Sequence, residues 1–252
     1  VTGSRLDFVS LRRSEDAFVD ELFSCVPDHG APLIAASYAR AYCDLNREPY
    51  ELDPSMFSGP LPKAANIKSP RVAAGLGTIA RTVGSGMEIY RGKLSIDEIE
   101  KRLELCYRPY HRQLERLIAA THERFGWCLL VDCHSMPSSG VPIWRDRGVD
   151  MVLGDCHGLA CGSDVTEKIE NFLTEKGYRV AINTPYAGGF TTSHYGHPSV
   201  GFHSIQIEIN RDLYLDEASI NPGPGFNRLR TDMNEVVRTL TKWAAQWQVK
   251  AP

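Results

Sequence analysis

Trp127-Cys128-Leu129-Leu130-Val131-Asp132-Cys133-His134-Ser135 is the stretch that decides the fold. Its apolar run reads as a buried strand over residues 127–133. That strand delivers an acid and an imidazole to its carboxyl end, where open α/β sheets place their sites. Side chains alternate along a strand, so Asp132 and His134 leave it on the same side. A neutral imidazole steadied by a nearby carboxylate suits a divalent metal such as zinc. The same residues also fit a strand-end histidine that merely bonds to a turn.

Upstream, a Ser95/Glu98 capping-box signature opens a long helix with Ile99, Leu103, Tyr107, Tyr110, Leu114 and Leu117 at helical spacing. Pro109 predicts a kink in it, and Gly126 its end. Ser14, ahead of Glu15, Asp16, Phe18, Val19, Leu22 and Phe23, predicts a capped helix. Pro32 to Ser37 and Ala41 to Leu45 read as short strands, the second ending in Asn46-Arg47. Residues 48–93 read as a Pro- and Gly-rich excursion over the surface. Downstream, Met151–Gly154, Tyr178–Asn183 and Ser204–Ile209 predict strands. Ser163-Asp164 caps a helix that Gly177 stops, and Leu229 to Trp247 is a closing amphipathic helix. Strands alternate with helices, which predicts a single α/β domain over residues 1–252. Its centre is a mixed, mostly parallel sheet with helices on both faces.

The chain has 252 residues and a net charge of −3. That balance gives no global basic field for nucleic acid or an anionic membrane, and no apolar run is long enough to cross a bilayer. The chain starts at Val1 without a signal-peptide pattern, and an N-terminal segment is expected to be missing. Seven cysteines at irregular spacings predict a reducing cytoplasm and no disulfide framework. There is no GxGxxG after a strand, no GxxxxGK[ST] and no GxSxG elbow, so dinucleotide, P-loop and serine-hydrolase readings lack their fingerprints.

Three further segments carry chemistry. Arg40 and Arg47 bracket the 41–46 segment; an Arg beside Asn46 can grip a carboxylate with a planar fork, or pair at the surface with Glu48 or Glu51. Glu208 lies between Ile207 and Ile209, and a carboxylate there needs a partner or a task. Burial would raise its pKa toward a general base's range. An outward-facing Glu on an edge strand, or a partner for Arg211, are the alternatives. Residues 183–196, with Tyr186, Gly188, Gly189 and several hydroxyls, read as a loop able to wall a pocket.

Taken together, Leu11 to Leu22, Asp44 to Tyr50, Asp132 to Pro137, the 183–196 loop and Ile205 to Tyr214 resemble the N-formylglutamate amidohydrolase family, over about Leu11 to Glu217. The resemblance implies a zinc-carboxypeptidase-like fold, similar also to aspartoacylases. It implies hydrolysis of N-formyl-L-glutamate, a small dicarboxylate, to formate and L-glutamate. It also implies a zinc ion held by Asp16, with Glu15 as the neighbouring alternative, by His134, and by a first His expected upstream of Leu11. Glu208 matches the catalytic glutamate that activates water. Asn46 and Arg47 match the pair that binds a substrate carboxylate, and Arg40 the arginine that stabilises the oxyanion. The second carboxylate anchor falls to Arg211 or to a tyrosine of the 183–196 loop, such as Tyr186. The resemblance places the reaction in histidine degradation and leaves the oligomeric state open. Two rivals stand beside it: an aspartoacylase-like hydrolase of another N-acyl amino acid, and a non-catalytic carboxylate-binding protein on the same fold.

Overall fold

The computed structural model describes residues 3–84, 86–140, 143–144 and 147–247. The chain forms two compact units, one from Asp16–Ala35 with Arg116–Pro252, the other from Val1–Glu15 with Ala36–Glu115.

The first unit is built on four strands, β1 (Cys128–Met136), β2 (Met151–Gly154), β3 (Val180–Ile182) and β4 (Phe202–Asn210). Their order in the sheet is β1-β4-β2-β3. The β1–β4 and β2–β3 pairs are parallel and the β4–β2 pair is antiparallel. The expected mixed, mostly parallel sheet is therefore present. Its helices are α1 (Val19–Leu22), α2 (Arg108–Phe125, its second half in this unit), α3 (Ser163–Thr174), α4 (Phe190–Tyr195) and α5 (Phe226–Gln246).

Period-two alternation gives this sheet two unlike faces. Met151, Leu153, Ile205, Ile207 and Ile209 point to one side, all at most 3% exposed. There they join Leu22 of α1, Ile169 and Leu173 of α3, and Leu229, Met233, Val236 and Leu240 of α5 in one apolar cluster. The residues between them on β1 and β4, namely Asp132, His134, Gln206 and Glu208, point to the other side. Each buried Ile or Leu is worth about 1.5–3 kcal/mol. The apolar face therefore dictates which way the polar residues must point.

The second unit holds residues 48–93, which do not wander over a surface as expected. Tyr50, Leu52, Asn66, Glu51 and Thr78 are knitted together by backbone bonds of 2.8–3.2 Å. Leu52, Ile79, Ile89, Ile99 and Leu103 are buried there. Arg102, 1% exposed, is held by Glu98, the Tyr42 carbonyl and the Tyr90 hydroxyl.

Three sequence expectations are corrected. Ser14 does not cap a helix: its hydroxyl donates back to the Leu11 carbonyl and closes the helix Phe8–Arg12, which Asp7 caps. Residues 32–37 and 41–45 are not strands. Tyr42 N–H donates to the Ala39 carbonyl, and the Asp44 side chain accepts the Asn46 N–H, so an Asx turn takes over the backbone. The long helix is helix Asp97–Arg102, a wide π turn at Leu103–Tyr107, then α2. The π turn precedes Pro109, whose missing N–H would otherwise break the ladder. Gly126, at φ 76°, ends α2 as expected.

Candidate active site

Parallel pairing of β1 with β4 sets Asp132 beside Gln206 and His134 beside Glu208. Strand β1 runs on to Met136, three residues beyond its expected end, so His134 sits within the ladder. On the other flank of β4, Val152 lies beside Glu208 and Gly154 beside Gln206. Strand β4 is an interior strand, which removes the edge-strand alternative for Glu208. The segment after β3 crosses directly over Gly154: a Cβ there would come within 2.6 Å of the Ala187 carbonyl carbon and 2.7 Å of the Gly188 nitrogen. That close crossing brings the neighbouring Tyr186 to the polar face. Its phenol is raised in pKa by burial and then by the Glu208 charge, with Arg211 opposing. The later part of the 183–196 segment is not loop but α4.

His134 is gripped at both ring nitrogens. Nδ1 lies 2.8 Å from Asp16 Oδ2 and Nε2 lies 3.0 Å from Asp132 Oδ1. Burial alone would lower the imidazole pKa, but the two carboxylates outweigh it and hold it well above the ordinary value. Asp16 Oδ1 in turn accepts the Ser135 N–H at 2.8 Å and the Ser135 hydroxyl at 3.0 Å. Arg211, 6% exposed, donates through Nε to Ser135 Oγ at 3.1 Å, with Nη2 4.0 Å from Asp16. The Tyr214 hydroxyl donates to the Ala17 carbonyl at 3.0 Å, fixing the chain next to Asp16. Arg211, Ser135, Asp16, His134 and Asp132 thus form one chain of polar contacts. Glu208 Oε1 accepts from Gln206 Nε2 at 2.6 Å.

This arrangement can be tested against a divalent ion. A metal-ligating imidazole commonly shows one nitrogen to the ion and the other to a carboxylate. His134 Nδ1 facing the Asp16 carboxylate, with Nε2 on Asp132, has that form. The donor chemistry therefore fits two ligands, Asp16 and His134. Among the described residues no group of three or more His, Cys, Asp or Glu side chains is disposed to hold an ion.

The second unit contains Arg40, Asp44, Asn46 and Arg47. Arg40 Nε donates to Asp44 Oδ2 at 3.0 Å, and Arg47 Nη2 lies 3.3 Å from the same oxygen. Burial pushes the Asp44 carboxyl up, but Arg40, Arg47 and the Asn46 N–H together hold it below the usual range. Arg47 also donates to the Leu76 carbonyl at 2.8 Å and the Asn46 carbonyl at 2.6 Å. In this structure its fork faces its own backbone and Asp44 rather than Glu48 or Glu51. Glu15, the alternative to Asp16, lies in this unit and pairs with Arg12 at 3.1 Å.

The structure thus brings Asp16, His134, Glu208, Tyr186 and Arg211 together in one unit and groups Arg40, Asn46 and Arg47 in the other. Ser135 and Gln206 lie in the quoted segments, but the sequence assigns neither a role. Gln206 was findable, because it stands two residues before Glu208 and shares its face. Ser135 had no local signal, since its partner is 119 residues away.

A family model, N-formylglutamate amidohydrolase, matches residues 1–215. An N-formylglutamate deformylase of Pseudomonas putida is 30% identical over 205 residues, covering 80% of this chain and 71% of the relative. One from Pseudomonas aeruginosa is 29% identical over the same length and the same shares. The crystal structure of an N-formylglutamate amidohydrolase from Ralstonia eutropha superposes with a TM-score of 0.91 at 33% identity, covering 97% of this chain and 88% of that one. A gene product of Agrobacterium tumefaciens, 18% identical with a TM-score of 0.54 over 92% of this chain and 77% of that one, is a likeness of fold alone. The chain belongs to the N-formylglutamate amidohydrolase family.

Proposed function

We propose that this protein hydrolyses N-formyl-L-glutamate to formate and L-glutamate in a metal-dependent reaction, with zinc as the ion. The observation that carries the reading is the pairing of His134 with Glu208 across β1 and β4, with Asp16 on the imidazole. The relatives' activities support the substrate.

Asp16 and His134 would hold the ion, with Asp132 orienting the imidazole through Nε2. A divalent ion supplies Lewis acidity toward a carbonyl oxygen and toward water. The work of the chain's own residues follows from their positions. Glu208, on the strand beside His134, takes a proton from the attacking water and returns it to the leaving amine. Arg211 and Ser135 hold Asp16 in place. Tyr186, whose phenol feels the charge of Glu208, stands where a polar substrate group would meet it. Arg40 as the oxyanion ligand, and Asn46 and Arg47 as carboxylate ligands, enter the proposal through the family resemblance.

The test is formate release from N-formyl-L-glutamate by the zinc-loaded protein. Glu208→Gln should fold as the parent does and lose turnover by about 10²-fold or more. Chelation should abolish formate release and zinc should restore it. Parental turnover in Glu208→Gln would remove the assignment of the base. Undiminished turnover after chelation would remove the metal.

A further inference from the structure

The glutamine beside Glu208 is unusual in its bonding. Gln206 is 4% exposed, on an interior strand, and its Nε2 donates to Glu208 Oε1 at 2.6 Å. Its Oε1 is buried and has no hydrogen-bond partner among the described residues. Buried amides are normally satisfied at both ends. The neighbours explain why this one is not. On one flank stands Asp132, a carboxylate that accepts from His134 Nε2 and has no hydrogen to give an amide oxygen. On the other stands Gly154, which has no side chain to offer and no room for one beneath Ala187 and Gly188. Two residues back on the same face, the Ser204 hydroxyl is likewise buried without a partner among the described residues. Glu208 thus accepts from an amide whose oxygen is unmet among the described residues. A residue kept for the fold would be expected to bond at both ends, or to be apolar like Ile205 and Ile207 beside it.

We propose that Gln206 is a positioning residue for Glu208: its amide N–H fixes one carboxylate oxygen, and so fixes the direction in which the other faces the reacting water. The inference rests on the reading of Glu208 as the base. It extends that reading by assigning a role to a residue that does not itself touch substrate. A glutamate side chain has three rotatable bonds, the last of which turns the carboxylate, and a strong bond to Oε1 restrains that freedom. Small errors in the placement of a reacting group cost rate out of proportion to their size.

The experiment compares four zinc-loaded proteins: the parent, Gln206→Met, Glu208→Gln and the double variant. Methionine keeps the length and apolar volume of glutamine and removes the N–H. In Gln206→Met, kcat for formate release should fall by about 10²-fold while KM changes by less than about threefold. Its melting temperature should stay within about 5 °C of the parent's, because the lost bond to Glu208 is offset by removal of the unmet Oε1. In the Glu208→Gln background the same substitution should have no further effect on the residual rate, because its only route is through the missing carboxylate. Gln206→Glu provides a second variant, placing a like charge against Glu208; it should also lose kcat. Parental kcat in Gln206→Met, with Glu208→Gln inactive, would overturn the positioning role and leave the base assignment standing. An equal loss in both backgrounds would overturn it as well, by showing that Gln206 acts elsewhere. Parental turnover in Glu208→Gln would overturn both.

Discussion

Removing one oxygen atom, in Ser135→Ala, tests the chain of contacts behind His134. Ser135 Oγ accepts from Arg211 Nε at 3.1 Å and donates to Asp16 Oδ1 at 3.0 Å. Both partners are charged, and both Ser135 and Arg211 are 6% exposed. Hydrogen bonds to charged groups contribute about 1.5–3 kcal/mol each. The two are not lost in full. Asp16 Oδ1 keeps the Ser135 N–H at 2.8 Å, and Arg211 Nη2 remains 4.0 Å away. The net loss should be about 2–3 kcal/mol, which for a chain of this length lowers the melting temperature by about 4–12 °C. Scanning calorimetry on the purified protein measures it. Because Asp16 shares this network, Asp16→Asn and Ser135→Ala should not be additive; the double variant should lose clearly less than the sum of the two. A drop of less than about 2 °C, or strict additivity, would refute the idea that Arg211, Ser135 and Asp16 act as one unit.

Two further outcomes follow from other parts of the fold. Gly154→Ala would press a methyl group onto backbone atoms of Ala187 and Gly188 at 2.6–2.7 Å, which no rotamer change relieves. Urea unfolding should show a loss of about 1–3 kcal/mol, and unchanged stability would mean that this crossing is loose. His203 Nδ1 accepts the Gly162 N–H at 3.1 Å, and burial lowers its pKa, with Asp164 opposing. The unfolded chain therefore binds this proton first. Stability should fall as pH drops through about 6.5 and level off below the folded-state pKa, with a slope of at most about 1.4 kcal/mol per pH unit. His203→Asn should flatten that part of the profile measured by denaturant unfolding. An unaltered profile would show that another group sets it.

The sheet and half of the candidate site were legible because they obey simple periods. Alternation in β1 and β4 put Asp132 and His134 on one face and Glu208 between isoleucines that could only point inward. The Ala41–Leu45 segment misled because its bonds are made by a side chain: Asp44 captures the Asn46 N–H, and a β-like composition ends up as a turn. The surroundings of Arg47 were equally hidden, because the groups its fork meets, the Leu76 and Asn46 carbonyls and Asp44, are set by the turn rather than by a pattern. Ser14 looked like the start of one helix because the preceding five-residue helix is too short to show a period. The cooperation of Ser135, Asp16 and Arg211 could not be read at all, since it joins three distant points of the chain through hydrogen bonds rather than through a pattern.

The interleaving of Ile205, Gln206, Ile207, Glu208 and Ile209 has a consequence for how errors in assembly are handled. A slip of one residue between β1 and β4 would exchange the two sides of the ribbon. It would drive a carboxylate and an amide into the oily layer beneath α3 and α5 and leave isoleucines facing outward. Such a chain would lose most of its driving force for collapse. A catalytically dead but well-folded misregistered form should therefore not accumulate, and proofreading of the reactive groups is built into the same hydrocarbon that makes the domain fold.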